Sequence, residues 1–210
     1  HHYLALGGIS PINQQNRELL AALRAHLPTR GINLPIYWGN RNSEPFFADV
    51  LKQMYQDGHR NVLAWVTSAY SSYSGCRQYR ENLAQALIET ELVGELVVDK
   101  IRVYFDHPGF IAPFAEGLRD AILEMNRQGF SNSEIKVFYC THSIPNKMAE
   151  TAGPPAKRDS QVGGAYVAQH MISSKLVHDH AQTQLGAEMP DWQLVYQSRS
   201  GSPEIPWLEP

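Results

Sequence analysis

An α/β fold, with a parallel sheet covered by helices on both faces, is what this sequence predicts, and three observations carry it. Short apolar runs of strand length alternate with longer segments of helical periodicity. The joints between them are short and punctuated by glycine and proline. No internal repeat or low-complexity tract interrupts the alternation.

The elements follow in order. Residues 14–27 place Leu19, Leu20, Leu23 and Leu27 at helical spacing, and residues 34–38 are a short extended run closed by Gly39 and Asn40. A helix is expected over 46–56, starting just after Pro45 and stopping at Gly58. Residues 61–66 form an apolar run suited to a buried strand. A helix over 78–90 and a strand over 100–105 come next, then a long helix over 110–127 that ends at Gly129. A strand over 135–140, a helix near 158–184 and a strand over 192–197 complete the series. The Pro-, Gly- and Ala-rich stretch 146–157 marks the expected domain boundary, giving domains of 1–145 and 146–210.

Composition narrows the function. Of 210 residues, 43% are apolar and 19% charged, an ordinary balance for a packed chain rather than a disordered one. The formal charge of −3 with scattered basic residues builds no nucleic-acid surface. No apolar run approaches the roughly 20 residues of a membrane helix. Peripheral contact with a membrane stays open, and nothing in the sequence fixes an oligomeric state. The only cysteines, Cys76 and Cys140, are too few for a disulfide framework and fit a reducing cytoplasm. The chain opens on His1 and His2 rather than Met and stops after Trp207-Leu208-Glu209-Pro210, which reads as a piece of something longer.

Ligands of parallel α/β folds bind beyond the carboxyl ends of the strands. That rule selects the turn after Trp38, the segment 68–79, the turn Asp106-His107-Pro108, and residues 141–145. In Thr141-His142-Ser143-Ile144-Pro145 the strand delivers His142 to its carboxyl edge, and Pro145 keeps the chain from running straight into a helix. An imidazole there can accept a proton or ligate a metal; it equally suits a structural cap. The segment 67–79 interleaves hydroxyl residues with Tyr70, Tyr73 and Tyr79 before a helix start. Aromatic faces and helix-terminal amides would welcome a flat, anionic ligand, and the same residues also suit a hydroxyl-rich turn with core-facing tyrosines. Gly7 and Gly8 allow close backbone approach, and Ser10 or Asn13 can cap the following helix. His178-Asp179-His180 has metal-like composition, but positions i and i+2 diverge on a helix, so a solvated face is expected.

At these residues the chain resembles the ferrochelatase family. The carriers are Gly7-Gly8-Ile9-Ser10-Pro11, Tyr37-Trp38-Gly39-Asn40-Arg41 with Pro45-Phe46, and Ser68-Ala69-Tyr70 through Cys76. They continue with Thr141 to Pro145, Tyr196-Gln197-Ser198-Arg199, and Pro206-Trp207-Leu208-Glu209-Pro210, all in family order. The resemblance implies two similar Rossmann-like domains flanking a porphyrin cleft, with this chain holding most of the first and the opening of the second. It implies insertion of ferrous iron, as substrate, into protoporphyrin IX or coproporphyrin III for heme synthesis in the cytoplasm. His142 would be the catalytic residue, ligating the incoming iron or taking up pyrrole protons. Ser10, Tyr70 and Tyr79 would contact porphyrin, with His2 and Tyr3 at a further contact.

Some members of the family hold an iron–sulfur cluster, for which Cys76 is the candidate ligand. Cys140 stands where the family usually has a small hydroxyl residue, and the tyrosine that usually follows the histidine motif is not evident after Pro145. A metal-facing tyrosine and a catalytic glutamate of the family would lie before His1 and beyond Pro210. A cobalt or nickel chelatase of a related tetrapyrrole, and a tetrapyrrole binder without turnover, are the alternatives.

Overall fold

The computed structural model describes residues 4, 7, 8, 10–154 and 163–209. The chain divides into two compact units, His1–Val62 with Asn82–Val97, and Leu63–Glu81 with Val98–Pro210. Parallel strands and helices make the protein α/β, as the alternation requires.

In the first unit, α1 (Ile12–Thr29) half-buries Asn16, Leu20, Leu23 and Leu27, a stripe of helical period, and leaves Leu19 exposed. Two arginines of α1 tie down the extended run that follows. Arg24 Nη2 donates to Ile36 O at 2.8 Å, and the Arg17 guanidinium lies 5.4 Å from the Trp38 ring centre. Helix α2 (Phe47–Gln56) starts after an extended Phe46, buries Leu51, and ends before Gly58. Close packing at its start depends on Gly39, where a Cβ would lie 3.0 Å from the Phe47 ring. Tyr37 donates to the Asp57 carboxylate at 2.6 Å and Gln53 donates to it at 2.8 Å. Those bonds hold the Asp57 carboxyl below its ordinary range, and the same bond to Asp57 pushes the Tyr37 phenol up.

Strand β1 (Asn61–Ala64) pairs with β2 (Val97–Lys100). The Val97 N–H donates to Arg60 O and the Ile101 N–H to Ala64 O, steps that advance together as in a parallel ladder. Between them in sequence lie a π-helical turn (Tyr73–Arg77) and α3 (Gln78–Glu89).

In the second unit, α4 (Pro108–Arg127) begins with Pro108 at its first turn and His107 as N-cap, whose Nδ1 accepts from the Gly109 N–H at 3.1 Å. A 3₁₀ turn (Asn132–Glu134) leads into β3 (Lys136–His142), and short α5 (Asn146–Glu150) follows. Helix α6 (Gly164–Leu185) then leads to β4 (Asp191–Gln197), which lies parallel to β3 in a register from Lys136↔Asp191 to His142↔Gln197. Ile111 and Ala115 of α4 meet Val177 and Ala181 of α6 in the core, with Tyr139 of β3 packed against them. Both alanines are fully buried, because two helices approach this closely only over small side chains. A second cluster joins Ala152, Ala165 and Tyr166 to Tyr70, Ile144, Tyr196 and Leu208.

Several expectations are corrected. The strand expected over 100–105 is instead β2 at Val97–Lys100, because its ladder ends where its partner does, at Ala64. Strand β3 runs on to His142 rather than ending at Cys140. Pro145 does not hold off a helix; it immediately precedes α5, where its missing N–H costs nothing. The His178-Asp179-His180 face is only partly solvated. His178 is 8% exposed, turned toward Tyr139 and Trp192, while His180 is exposed. The helix expected from 158 begins, among the described residues, at Gly164.

Candidate active site

Strand geometry sets the site. Side chains of β3 alternate, so Val137, Tyr139 and Thr141 are half-buried while Lys136, Phe138, Cys140 and His142 are exposed. His142 is the last ladder residue, at the carboxyl edge of a parallel pair. Its Nδ1 lies 2.5 Å from Ser143 O. A carbonyl only accepts, so Nδ1 carries the hydrogen and donates it. With Nδ1 so used, the neutral form of the ring would keep its lone pair on Nε2, where it can take a proton or a metal ion.

The backbone under this exposed ring is fixed on both sides. Ser143 is 1% exposed; its N–H donates to Gln197 O at 2.7 Å and its hydroxyl donates to Leu208 O at 2.5 Å. The Leu208 N–H in turn donates to Ile144 O, and the Asn146 N–H to Pro206 O. Gly201 lets the chain lie against the Trp207 ring, where a Cβ would stand 2.5 Å from the indole. The motif at Trp207 is thereby laced onto the motif at His142.

Helix α6 brings polar residues to the other side of β3. Its buried stripe runs through Tyr166, Gln169, His170, Ser173, Ser174, Val177 and His178. Burial of such groups is tolerated because they find partners. Gln169 Oε1 accepts from the Ser71 N–H at 2.7 Å, and its Nε2 donates to Ser71 Oγ at 2.9 Å. Ser173 donates to Phe105 O at 2.7 Å. His170 Nδ1 donates to Tyr166 O at 2.8 Å, and Thr141 Oγ1 lies 2.8 Å from His170 Nε2. Burial pushes the His170 imidazole down, which keeps it neutral, and pushes the Tyr166 and Tyr139 phenols up.

The tyrosine-rich segment is held by small residues. Ser72 caps the π-helical turn, its hydroxyl accepting from the Gly75 N–H at 2.9 Å. A methyl on Gly75 would overlap Ser68 Oγ, so a larger residue in this turn would require the Ser68 side chain to move. Glu81 secures the far end, accepting from Tyr73 at 3.1 Å and from Arg77 at 2.8 Å. Tyr70 stacks on His170 with ring centres 3.6 Å apart and planes 14° from parallel. Tyr73 is exposed and Tyr79 is half-buried at the start of α3.

The sequence-predicted residues therefore fall as follows. His142, Tyr70, Tyr79 and Cys76 belong to one unit and Ser10 to the other. Ser10 Oγ accepts from the Ile12 N–H at 3.4 Å beside Pro11, the N-cap of α1. His2 and Tyr3 lie outside the described residues. Cys76, half-buried, and Cys140, exposed, are free thiols. Among the described residues no three His, Cys, Asp or Glu side chains gather into a metal cage. Cys76 and Cys140 by themselves supply fewer thiolates than the four an iron–sulfur cluster usually takes.

Sequence reasoning missed Tyr166, Gln169 and His170. Their signal was a polar stripe at helical spacing, which reads as a solvent face until its partners are known. Among the described residues, no helix is long and apolar enough to cross a membrane.

Comparison with known proteins agrees with the motif order. The ferrochelatase family model matches residues 1–210. The coproporphyrin III ferrochelatase of Streptomyces griseus subsp. griseus is 49% identical over 211 residues, covering 100% of this chain and 55% of that protein. Its namesake from Streptomyces coelicolor is 50% identical with the same coverage. A ferrochelatase of Rhodopirellula baltica is 48% identical, covering 100% of this chain and 53% of its own length. The chain spans about half the length of these relatives. With a family model matched from end to end and near-half identity throughout, this chain belongs to the ferrochelatase family.

Proposed function

We propose that the full-length protein inserts ferrous iron into coproporphyrin III, with His142 as the catalytic residue. The observation that carries this reading is the exposed His142 ring at the carboxyl edge of β3, its Nδ1–H spent on Ser143 O and its Nε2 lone pair bare. Metallation exchanges both pyrrole N–H protons of the macrocycle for the metal ion and strips water from ferrous iron. A neutral imidazole suits both tasks, as a base and as a borderline metal ligand. Nε2 would accept a pyrrole proton or hold the iron as its water leaves. Tyr70 and Tyr79, in the same unit as His142, are the porphyrin contacts of this reading. Coproporphyrin III is favoured because relatives of near-half identity carry it in their names. The reaction is assigned to the cytoplasm, where the free thiols of Cys76 and Cys140 are stable.

The test is anaerobic iron insertion by the full-length protein, followed in the Soret band with coproporphyrin III and protoporphyrin IX in parallel. Faster metallation of coproporphyrin III is expected. Preference for protoporphyrin IX would overturn the substrate assignment. Binding without metallation of either would replace the enzyme reading with a tetrapyrrole binder.

A further inference from the structure

We propose that Tyr166 is a positioning residue for His142, acting through a hydroxyl bond to the His142 carbonyl that Thr141 and His170 complete into a closed clamp. The proposal rests on His142 being the reacting residue. Tyr166 is 7% exposed in the first turn of α6, and its hydroxyl donates to His142 O at 2.8 Å. The same hydroxyl lies 3.2 Å from Thr141 Oγ1, which lies 2.8 Å from His170 Nε2. His170 Nδ1 closes the ring on Tyr166 O at 2.8 Å.

Proton accounting gives each bond a direction. Tyr166 O can only accept, so His170 carries its hydrogen on Nδ1 and, being neutral, offers a lone pair at Nε2. The Thr141 hydroxyl donates to that lone pair. Its oxygen is then left as an acceptor facing Tyr166, whose single hydroxyl proton points at His142 O with Thr141 Oγ1 as the longer second acceptor. Every member is served, and Tyr166 enters the ring through both its backbone and its side chain.

The clamp grips His142 without touching its ring. Thr141 and His142 are neighbours on a strand, so their side chains point to opposite faces. Rotating the 141–142 backbone would break bonds inside a buried cluster, so the imidazole direction is set from beneath while the ring stays accessible. Filling the core would require only a phenyl ring at 166; a buried phenol needs a partner, and the nearer of the two it has is the carbonyl of the proposed catalytic residue.

In the full-length enzyme, Tyr166→Phe keeps the ring and removes the clamp. Loss of a supporting bond of this kind is expected to lower kcat for iron insertion by about 10–100-fold, with the porphyrin KM held within about twofold. Thr141→Val, which leaves the Tyr166 bond to His142 O but opens the ring of bonds that braces it, should show a smaller loss, still above about twofold, and Thr141→Ser, which keeps the hydroxyl, should restore kcat. Thermal unfolding of each variant sets an assay temperature at which all are folded. The proposal is overturned if Tyr166→Phe and Thr141→Val keep kcat within about twofold of the parent, or if their losses vanish once only folded protein is counted. Should Tyr166→Phe fail to fold, the Thr141 pair decides. His142→Ala is assayed alongside: full activity there would sink the reading of His142 itself, whereas a dead His142→Ala beside an active Tyr166→Phe would sink only the clamp.

Discussion

His142→Ala should lower iron insertion by about two to four powers of ten, the usual contribution of a positioned acid–base group, while porphyrin still binds. The separation is expected because the side chain is exposed, and its only described bond is the one its own Nδ1 gives to Ser143 O. Substitutions of exposed side chains typically move stability by about half a kcal/mol or less, so the fold and its cleft should survive. What disappears is the Nε2 lone pair. His142→Gln should be nearly as slow, since an amide can hydrogen-bond but is not a base at neutral pH. Added imidazole should recover part of the activity of the alanine variant. Steady-state kinetics with a parallel porphyrin titration check this. A weakened porphyrin affinity with an undiminished kcat would assign His142 to binding instead.

Gly164→Ala is expected to be the most damaging single-methyl change in the described chain. Gly164 has φ +79° at the first residue of α6, and a methyl there would overlap the Ala149 carbonyl oxygen and press on Glu150 Cα at 2.9 Å. Two costs add: a left-handed backbone carrying a side chain, and an overlap with backbone that cannot rotate aside. Each is worth about 1–3 kcal/mol, giving about 2–6 kcal/mol together. Gly186→Ala isolates the first cost. Gly186 also has positive φ, at +62°, but nothing stands within 4 Å of its added methyl, so a loss of only about 1–2 kcal/mol is expected. Denaturant midpoints of both variants measure the difference. Equal midpoints would show that α5 and α6 can slide apart at this joint.

The contrast between what could and could not be read in the chain has a physical origin. His142 was legible because a short apolar run, a polar histidine and a proline are local signals, and the parallel fold says which end of a strand matters. Helix α4 was legible for the same reason: Ile111, Ala115, Leu118 and Ile122 repeat at helical spacing within one segment. Strand β2 was displaced from the expected 100–105 because local β-forming residues do not fix register: pairing starts at Val97 and lasts only as long as the short β1 beside it.

The buried face of α6 was the least legible. Gln169, His170 and Ser173 are paired with Ser71, Thr141 and Phe105, at sequence separations of 98, 29 and 68. No local pattern announces such partners, and polar residues at helical spacing read as a surface until the fold supplies them. His178 is the same case in miniature. Its divergence from His180 follows from helix geometry, but its burial against Tyr139 and Trp192 depends on a strand and a helix meeting far apart in sequence.

The measurement that bears most directly on the central claim is the tautomer of His142 in the full-length protein. Ring-¹⁵N-labelled histidine, read by NMR at about pH 8 where an ordinary imidazole is neutral, reports each nitrogen separately. The expected result is a protonated Nδ1 and a bare Nε2, with the Nε2 signal shifting when coproporphyrin III is added. A protonated Nε2 that ignores the porphyrin would contradict the account, because the lone pair assigned to the chemistry would then be absent.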